Sequence, residues 1–364
     1  MASQPLPGDL RSLTSLRFFA ALWVVLLHFR DQLPFDFSAH NSINHGTRAV
    51  DFFFILSGFI LAHVYGPQLQ AGRFRMKDFV IKRLARLYPV HFVTLLASLA
   101  IFLLATALHM KLNNAEKYDL AQFVPNLLMI QAWFPFTRAA FNMPSWSISA
   151  EFAAYLLFPL MAGLVLKSQR SGWFWLLVAA AVLAVMVTVV QLVWHVELLR
   201  LISLGIFRII PLFFLGIVLW KGWAERIFVI PAWLMLPSAI GVMLLAWVSV
   251  AVVPLFGIII LAGAEMETEG RSGWLAGPWL VLLGEASYSL YMTHDLVQTV
   301  FFAALQKLHL FTGNPVLEIA GFFVGILISI LVSLLTYQWI EAPCRGWLTA
   351  RFAARKPVVA MSVA

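Results

Sequence analysis

The chain has 364 residues, of which 62% are hydrophobic and only 12% charged, with a mean hydropathy of +0.87. That balance excludes an ordinary soluble globular domain and indicates an all-α, polytopic transmembrane helical bundle. The formal charge of +8 would suggest a nucleic-acid partner for a soluble chain. Here the basic residues gather in alternate polar gaps without an aromatic-basic motif, so no nucleic acid is expected and orientation in a bilayer accounts for them.

The first apolar run, 14–31, contains LRFFAALWVVLLHF and follows Arg11. Its basic flank is that of a signal peptide, but no small-x-small cleavage site follows promptly, so a retained helix is expected. Crossing the hydrocarbon core takes roughly 20 apolar residues. On that rule further spans are expected over 49–66, 79–109, 144–166, 172–194, 200–220, 228–246, 248–264, 277–305 and 315–341. The stretch 231–264 is long for one span and short for two, so the total is nine or ten. Between the third and fourth spans, 110–145 is long and apolar in its middle without being able to cross. It is expected to lie in the interface or to re-enter beside the bundle. No linker-like composition divides the chain, so 1–364 is expected to be one integral domain with short cytoplasmic tails.

Ten spans put both termini on one side. With the N terminus inside, seventeen of the 25 Lys and Arg residues fall in inner segments and seven in outer ones, leaving Arg208 inside a span. That bias predicts an N-in, C-in orientation. No internal repeat of the kind found in transporters with inverted halves is present. A single cysteine, Cys344, excludes an internal disulfide, and no Cys/His spacing suits zinc, so no metal is expected.

Ionisable residues at membrane depth cost roughly 2.5–3.5 kcal/mol each and therefore tend to face a cavity or a partner. Arg17 and His28 are eleven residues apart, about 1,100° of rotation and about 16 Å of rise, so they share one face of the first helix. Snorkelling of Arg17 to the headgroups is the simpler alternative. Ser147, Glu151 and Tyr155 follow one another at i, i+4 and i+8 near the outer end of the fourth helix. A carboxylate there would orient a histidine, or join two helices by a structural hydrogen bond. Arg83 and Arg86 share a face at the inner start of the third helix, where paired guanidinium groups hold phosphates. The neighbouring Arg73, Arg75 and Lys77 need only anionic lipid. In 284-GEASYSLYMTHDL-296, Ser287, Tyr291 and His294 have helical spacing, with packing the stronger reading for the serines. His63, His91 and His195 have no obvious partners and are expected to be structural. Arg208 is deep enough to require a carboxylate or a phosphate.

At these residues the chain resembles the acyltransferase-3 family of bacterial integral-membrane O-acyltransferases. Arg17 with His28 is similar to the family's pattern of Arg, ten residues and His. The blocks 51-DFFFILSGFI-60, 83-RLARLYP-89, 145-SWSISAEF-152, 284-GEASYSLYMTH-294 and 340-IEAPCR-345 follow in order. The resemblance implies a ten-helix protein of the bacterial inner membrane that moves an acyl group, usually acetyl, from cytoplasmic acyl-CoA to a hydroxyl. The acceptor is typically a cell-surface glycan or its lipid-linked precursor, and in some relatives a small molecule. Many members carry a soluble SGNH-type domain after the membrane part. This chain stops about 20 residues after its last span, which implies transfer within the membrane domain or to a separate protein.

Carried over residue by residue, the resemblance makes His28 the catalytic base or the transient acyl carrier, with Glu151 orienting its ring. Arg17, Arg83 and Arg86 are then expected to hold the CoA phosphates or to stabilise an oxyanion. Trp146, Ser147, Tyr155, Tyr291 and His294 are the expected acceptor-binding residues. Ser57, Gly58 and Phe52 to Phe54 either border the acyl pocket or only pack helices. Two rival classes remain on the residues alone: a transporter of a polar solute, which also needs a central polar track, and a non-catalytic subunit of a polysaccharide assembly.

Overall fold

The computed structural model describes residues 7–36, 38, 40–109, 115–308 and 313–353. Of the cations in the charge count, Lys111, Arg355 and Lys356 lie outside these residues. The described chain is helical throughout, with no strand. The helices are α1 (Arg11–Phe29), α2 (Arg48–Gln70), α3 (Met76–Ala107), α4 (Phe123–Leu127), α5 (Trp146–Leu166), α6 (Gly172–Trp194) and α7 (Ile206–Ala224). They continue with α8 (Met235–Leu245), α9 (Val252–Thr268), α10 (Pro278–Glu285), α11 (Ser287–Val297), α12 (Ala303–Lys307), α13 (Pro315–Thr336) and α14 (Ala342–Phe352). Two π-helical turns, Gln298–Phe302 and Tyr337–Glu341, join α11 to α12 and α13 to α14.

Eight helices among the described residues are long and apolar enough to cross a membrane, which makes the protein a multi-pass helical bundle. The two remaining expected spans take other forms. The 228–246 run is a shorter apolar helix, Ala232–Leu245, bounded by Pro231 and by extended backbone at Val248. The 277–305 run is a rod interrupted at Ala286 and again at the π-turn.

The bundle has a buried centre and an exposed apolar periphery. In α2 and α7, 72% of the membrane-crossing window is buried, against 11% in α6, so α2 and α7 form the axis and α6 the rim. They approach so closely because glycines face each other. A methyl at Gly58 would come 2.0 Å from the Phe213 carbonyl oxygen, and one at Gly216 would come 2.0 Å from that of Ile55. Small residues at such crossings are how membrane helices gain packing where no water is displaced. Gly58 therefore packs helices and does not border the pocket. Gly284 does the same for α10 against α1, 2.0 Å from the Thr14 carbonyl.

Contacts between helix ends define two faces. At the proximal end, that of Arg11, Ser12 bonds Gly263 and Glu267 of α9, and Gln70 reaches Leu166. At the distal end Trp23 donates to the Ser42 carbonyl, and Arg208 donates to that of Thr47. Residues 115–145 cap the distal end and are tied into the bundle by polar bonds. Lys117 Nζ meets Asp295 at 2.9 Å and Thr299 at 3.2 Å, and Asn142 donates to the Met292 carbonyl at 2.9 Å. The buried Asn126 amide closes the cap on itself by bonding the Gln122 and Arg138 carbonyls.

The counter-charge that Arg208 requires is Asp51. Arg208 Nε donates to Asp51 Oδ1 at 2.7 Å and its Nη2 to Oδ2 at 3.1 Å, with Trp146 beneath the guanidinium at 5.1 Å. Both side chains are buried. Breaking such a pair from one side leaves an uncompensated charge. Asp51→Ala is therefore predicted to cost about 3–5 kcal/mol in reversible unfolding in detergent, and Asp51→Leu with Arg208→Met together much less. Equal losses in the single and double variants would contradict this.

Candidate active site

A polar cavity of about 330 Å³ is enclosed by α1, α2, α3, α5, α10, α11 and the start of α14. Its proximal part is cationic. Arg17 comes from the second turn of α1, Arg83 and Arg86 from the first third of α3, and Arg345 from α14, with Glu285 closing α10. Its inner part is lined by Ser57, Ser147, Glu151, Tyr155 and Tyr291 among apolar walls that include Phe53, Phe54 and Ile148.

The charges in this cavity are arranged unusually. Neither carboxylate is committed to an arginine. Glu151 accepts from the Tyr155 hydroxyl at 2.6 Å, one helical turn away, and from the Ser57 hydroxyl. Glu285 accepts from the Tyr337 hydroxyl. Among the described residues no ion pair involves Arg17, Arg83, Arg86 or Arg345. Arg83 is instead held by aromatic faces, with Tyr65 at 5.6 Å, Tyr155 at 5.9 Å and Phe79 at 6.0 Å, and its Nε is buried without a hydrogen-bond partner. Guanidinium groups kept free of carboxylates in a confined space form a receptor for phosphate.

His28 lies just beyond this cavity. Its Nδ1 is 2.9 Å from the Val24 carbonyl, which can only accept, so Nδ1 donates there, and in the neutral ring Nε2 is the nitrogen able to accept a proton. The Gln298 amide holds the His28 carbonyl at 2.5 Å. Beside the ring is His294, with ring centroids 4.9 Å apart. His294 is wholly buried, and neither of its nitrogens has a hydrogen-bond partner of good geometry, the nearby carbonyls being Leu290 and Tyr291 of its own helix. Tyr291, 5.9 Å from His294, stands between the histidines and the cavity. It receives a bond from Ser147 at 2.8 Å and donates to the Pro144 carbonyl at 3.0 Å.

Of the residues expected from the sequence, Arg17, Arg83, Arg86, Ser147, Glu151, Tyr155 and Tyr291 line one cavity. His28 and His294 pair behind it. Among the described residues no hydrogen bond joins His28 to Glu151, whose partners are Ser57 and Tyr155. Trp146 turns away, supporting Arg208 and Phe54. His91 bonds the Asn126 carbonyl, and His63 accepts from Trp220. The residues that sequence reasoning missed are Glu285, Arg345 and Glu341. Glu341 is fully buried, with one oxygen on Ser289 and the other unpartnered, and it is within electrostatic reach of Arg17. Glu341 and Arg345 share the IEAPCR block and Glu285 is the second residue of GEASYSLYMTH, so both blocks were singled out without a role for these three residues. Among the described residues no group of three or more His, Cys, Asp or Glu is placed to hold a metal.

The model of the acyltransferase-3 domain family matches residues 10–337, and the chain belongs to that family. It is 35% identical to acyltransferase MdmB of Streptomyces mycarofaciens over 79% of each chain, and 32% identical to protein 2 in the picA locus of Rhizobium radiobacter over 41% of this chain and 80% of that one. Proteins of Staphylococcus aureus whose name proposes an O-acetyltransferase match at 23% identity over 92% of this chain, which spans 57% of their length. No solved structure matches the fold.

The cavity can be mapped chemically because Cys344 is the lone cysteine. On a Cys344→Ser background, Ile60→Cys on the cavity wall is predicted to react with a charged thiol reagent about tenfold or more faster than Ile55→Cys, buried on the same helix. Equal rates would contradict the assignment of the wall.

Proposed function

We propose that the chain transfers a short acyl group, acetyl foremost, from acyl-CoA to a hydroxyl of a cell-surface glycan or its lipid-linked precursor. The observation that carries this reading is the group of four arginines at the proximal part of the cavity, none of them paired with a carboxylate among the described residues. A coenzyme A diphosphate supplies the anion they lack, and its pantetheine arm is long enough to carry the thioester inward past Glu151. Acyl-CoA is cytoplasmic, so the proximal face is the inner face of a bacterial cytoplasmic membrane. The excess of basic residues in the segments on that side supports the same orientation.

The chemistry follows from the tautomer of His28. Its Nε2 accepts the proton of the acceptor hydroxyl as the oxygen attacks the thioester carbonyl. Arg17, about 16 Å from His28 along α1, is too far away to reach the tetrahedral oxyanion and serves with Arg83 and Arg86 on the donor's phosphates. Collapse expels the CoA thiolate, which takes the proton back from His28, so protons balance over the cycle. Tyr291 separates donor and histidine, and its bonds to Ser147 and Pro144 must open for the carbonyl to reach Nε2. Glu151, held by two hydroxyls, fixes Tyr155 and Ser57 along the thioester's path; its role is to position them, without contacting His28.

In nanodiscs with acetyl-CoA and extracted lipid-linked glycans, His28→Ala is predicted to lower transfer by about 10²–10⁴-fold while leaving CoA binding within about twofold. Wild-type transfer by His28→Ala would remove the histidine from the mechanism. Failure of the wild type to bind CoA would remove the donor.

A further inference from the structure

Arg345 differs from the other three cavity arginines in its place and its support. It lies in the first turn of α14, four residues after the π-helical turn Tyr337–Glu341 and beyond the apolar stretch of α13. α14 packs along α3, which brings Arg345 to the mouth of the cavity, opposite the helix that carries Arg83 and Arg86. The side chain is partly exposed there. Tyr337 is in hydrogen-bonding reach of Arg345 and is itself anchored on Glu285. The hydroxyl beside the guanidinium leaves its charge uncancelled. A long side chain that snorkels only to lipid headgroups would not need to be held over a cavity.

The geometry points to Arg345 as the residue that reads the 3′-phosphate of the donor's adenosine, so that CoA thioesters are preferred to thioesters of dephospho-CoA or pantetheine. This rests on the acyl-CoA reading of the cavity. In a donor inserted thioester first, the diphosphate lies inward and the ribose 3′-phosphate remains at the mouth. That monoester carries close to two charges and three acceptor oxygens, which a pre-oriented guanidinium fork matches with paired bonds. Arg17, Arg83 and Arg86, further along the cavity, remain for the diphosphate.

The test compares acetyl-CoA, acetyl-dephospho-CoA and acetyl-pantetheine as donors for nanodisc-embedded wild type, Arg345→Gln and Arg345→Lys. Wild type is expected to prefer acetyl-CoA over its dephospho form by about 10- to 100-fold in kcat/KM, the range of a hydrogen-bonded charge pair. Arg345→Gln is expected to bring that ratio to within about twofold of unity, with the loss falling on KM for acetyl-CoA, and Arg345→Lys to keep an intermediate ratio. If Arg345→Gln does not fold, Arg345→Lys carries the test through its ratio of CoA to dephospho-CoA binding against that of the wild type. Wild type that uses both donors equally overturns this inference alone, as does Arg345→Gln that retains the full preference or loses both donors in parallel. Wild type that uses none of the three overturns the acyl-CoA reading with it.

Discussion

A charge inside a bilayer must be paired, hydrated or used, and Asp51 with Arg208 shows the first of these solutions. Their doubly hydrogen-bonded contact sits where α2 and α7 cross, backed by Trp146. Beside it the buried Arg48 gives its three donor nitrogens to the Ala246 and Leu199 carbonyls and to Ser249. The rest of the bundle is arranged around this anchored crossing. Gly58 and Gly216 let the two helices touch, α5 leans on them through Trp146, and the cavity opens on the opposite side of α2.

The cavity shows the third solution. Its arginines are confined near Glu151 and Glu285, yet hydroxyls of Ser57, Tyr155 and Tyr337 hold those carboxylates. The polar groups thus satisfy one another in a way that leaves positive charge available. Such an arrangement costs stability, and the proposed anionic donor would offset that cost. The distal cap completes the site from the other side. The Lys117 ion pair with Asp295 fixes the residue next to His294, so the histidine pair lies between the arginine-lined cavity and the polar distal cap.

Much of this was legible in the sequence wherever it depended on helical periodicity. The Ser147, Glu151 and Tyr155 face, the Arg83 and Arg86 pair and the inward Arg17 each follow from spacing within one helix, and they line one cavity. The need of Arg208 for a counter-charge was also legible, since an unpaired guanidinium at that depth is too costly. Its partner was not, because Asp51 is distant in sequence and only the α2–α7 crossing brings it near. The pairing of His28 with His294 failed for the same reason. Sharing a face with Arg17 suggested a continuous path, and the intervening Tyr291 belongs to another helix. Arg345 was hidden by a different effect: cations near span ends are expected from orientation alone, so nothing in the sequence separated a cavity-lining arginine from a headgroup-facing one. The broken 277–305 rod escaped prediction because its hydropathy is continuous while its backbone is not.

The account stands on a donor that enters from the proximal face and a reaction completed across the bundle. The most direct measurement places the protein in sealed vesicles of known orientation and supplies labelled acetyl-CoA on one side at a time, following CoA release and the position of the acetyl group. CoA released only when the donor is on the face of the N terminus, with acetyl appearing on acceptor at the other, is the predicted result. Donor consumed equally from either face, or only from the distal one, would contradict it.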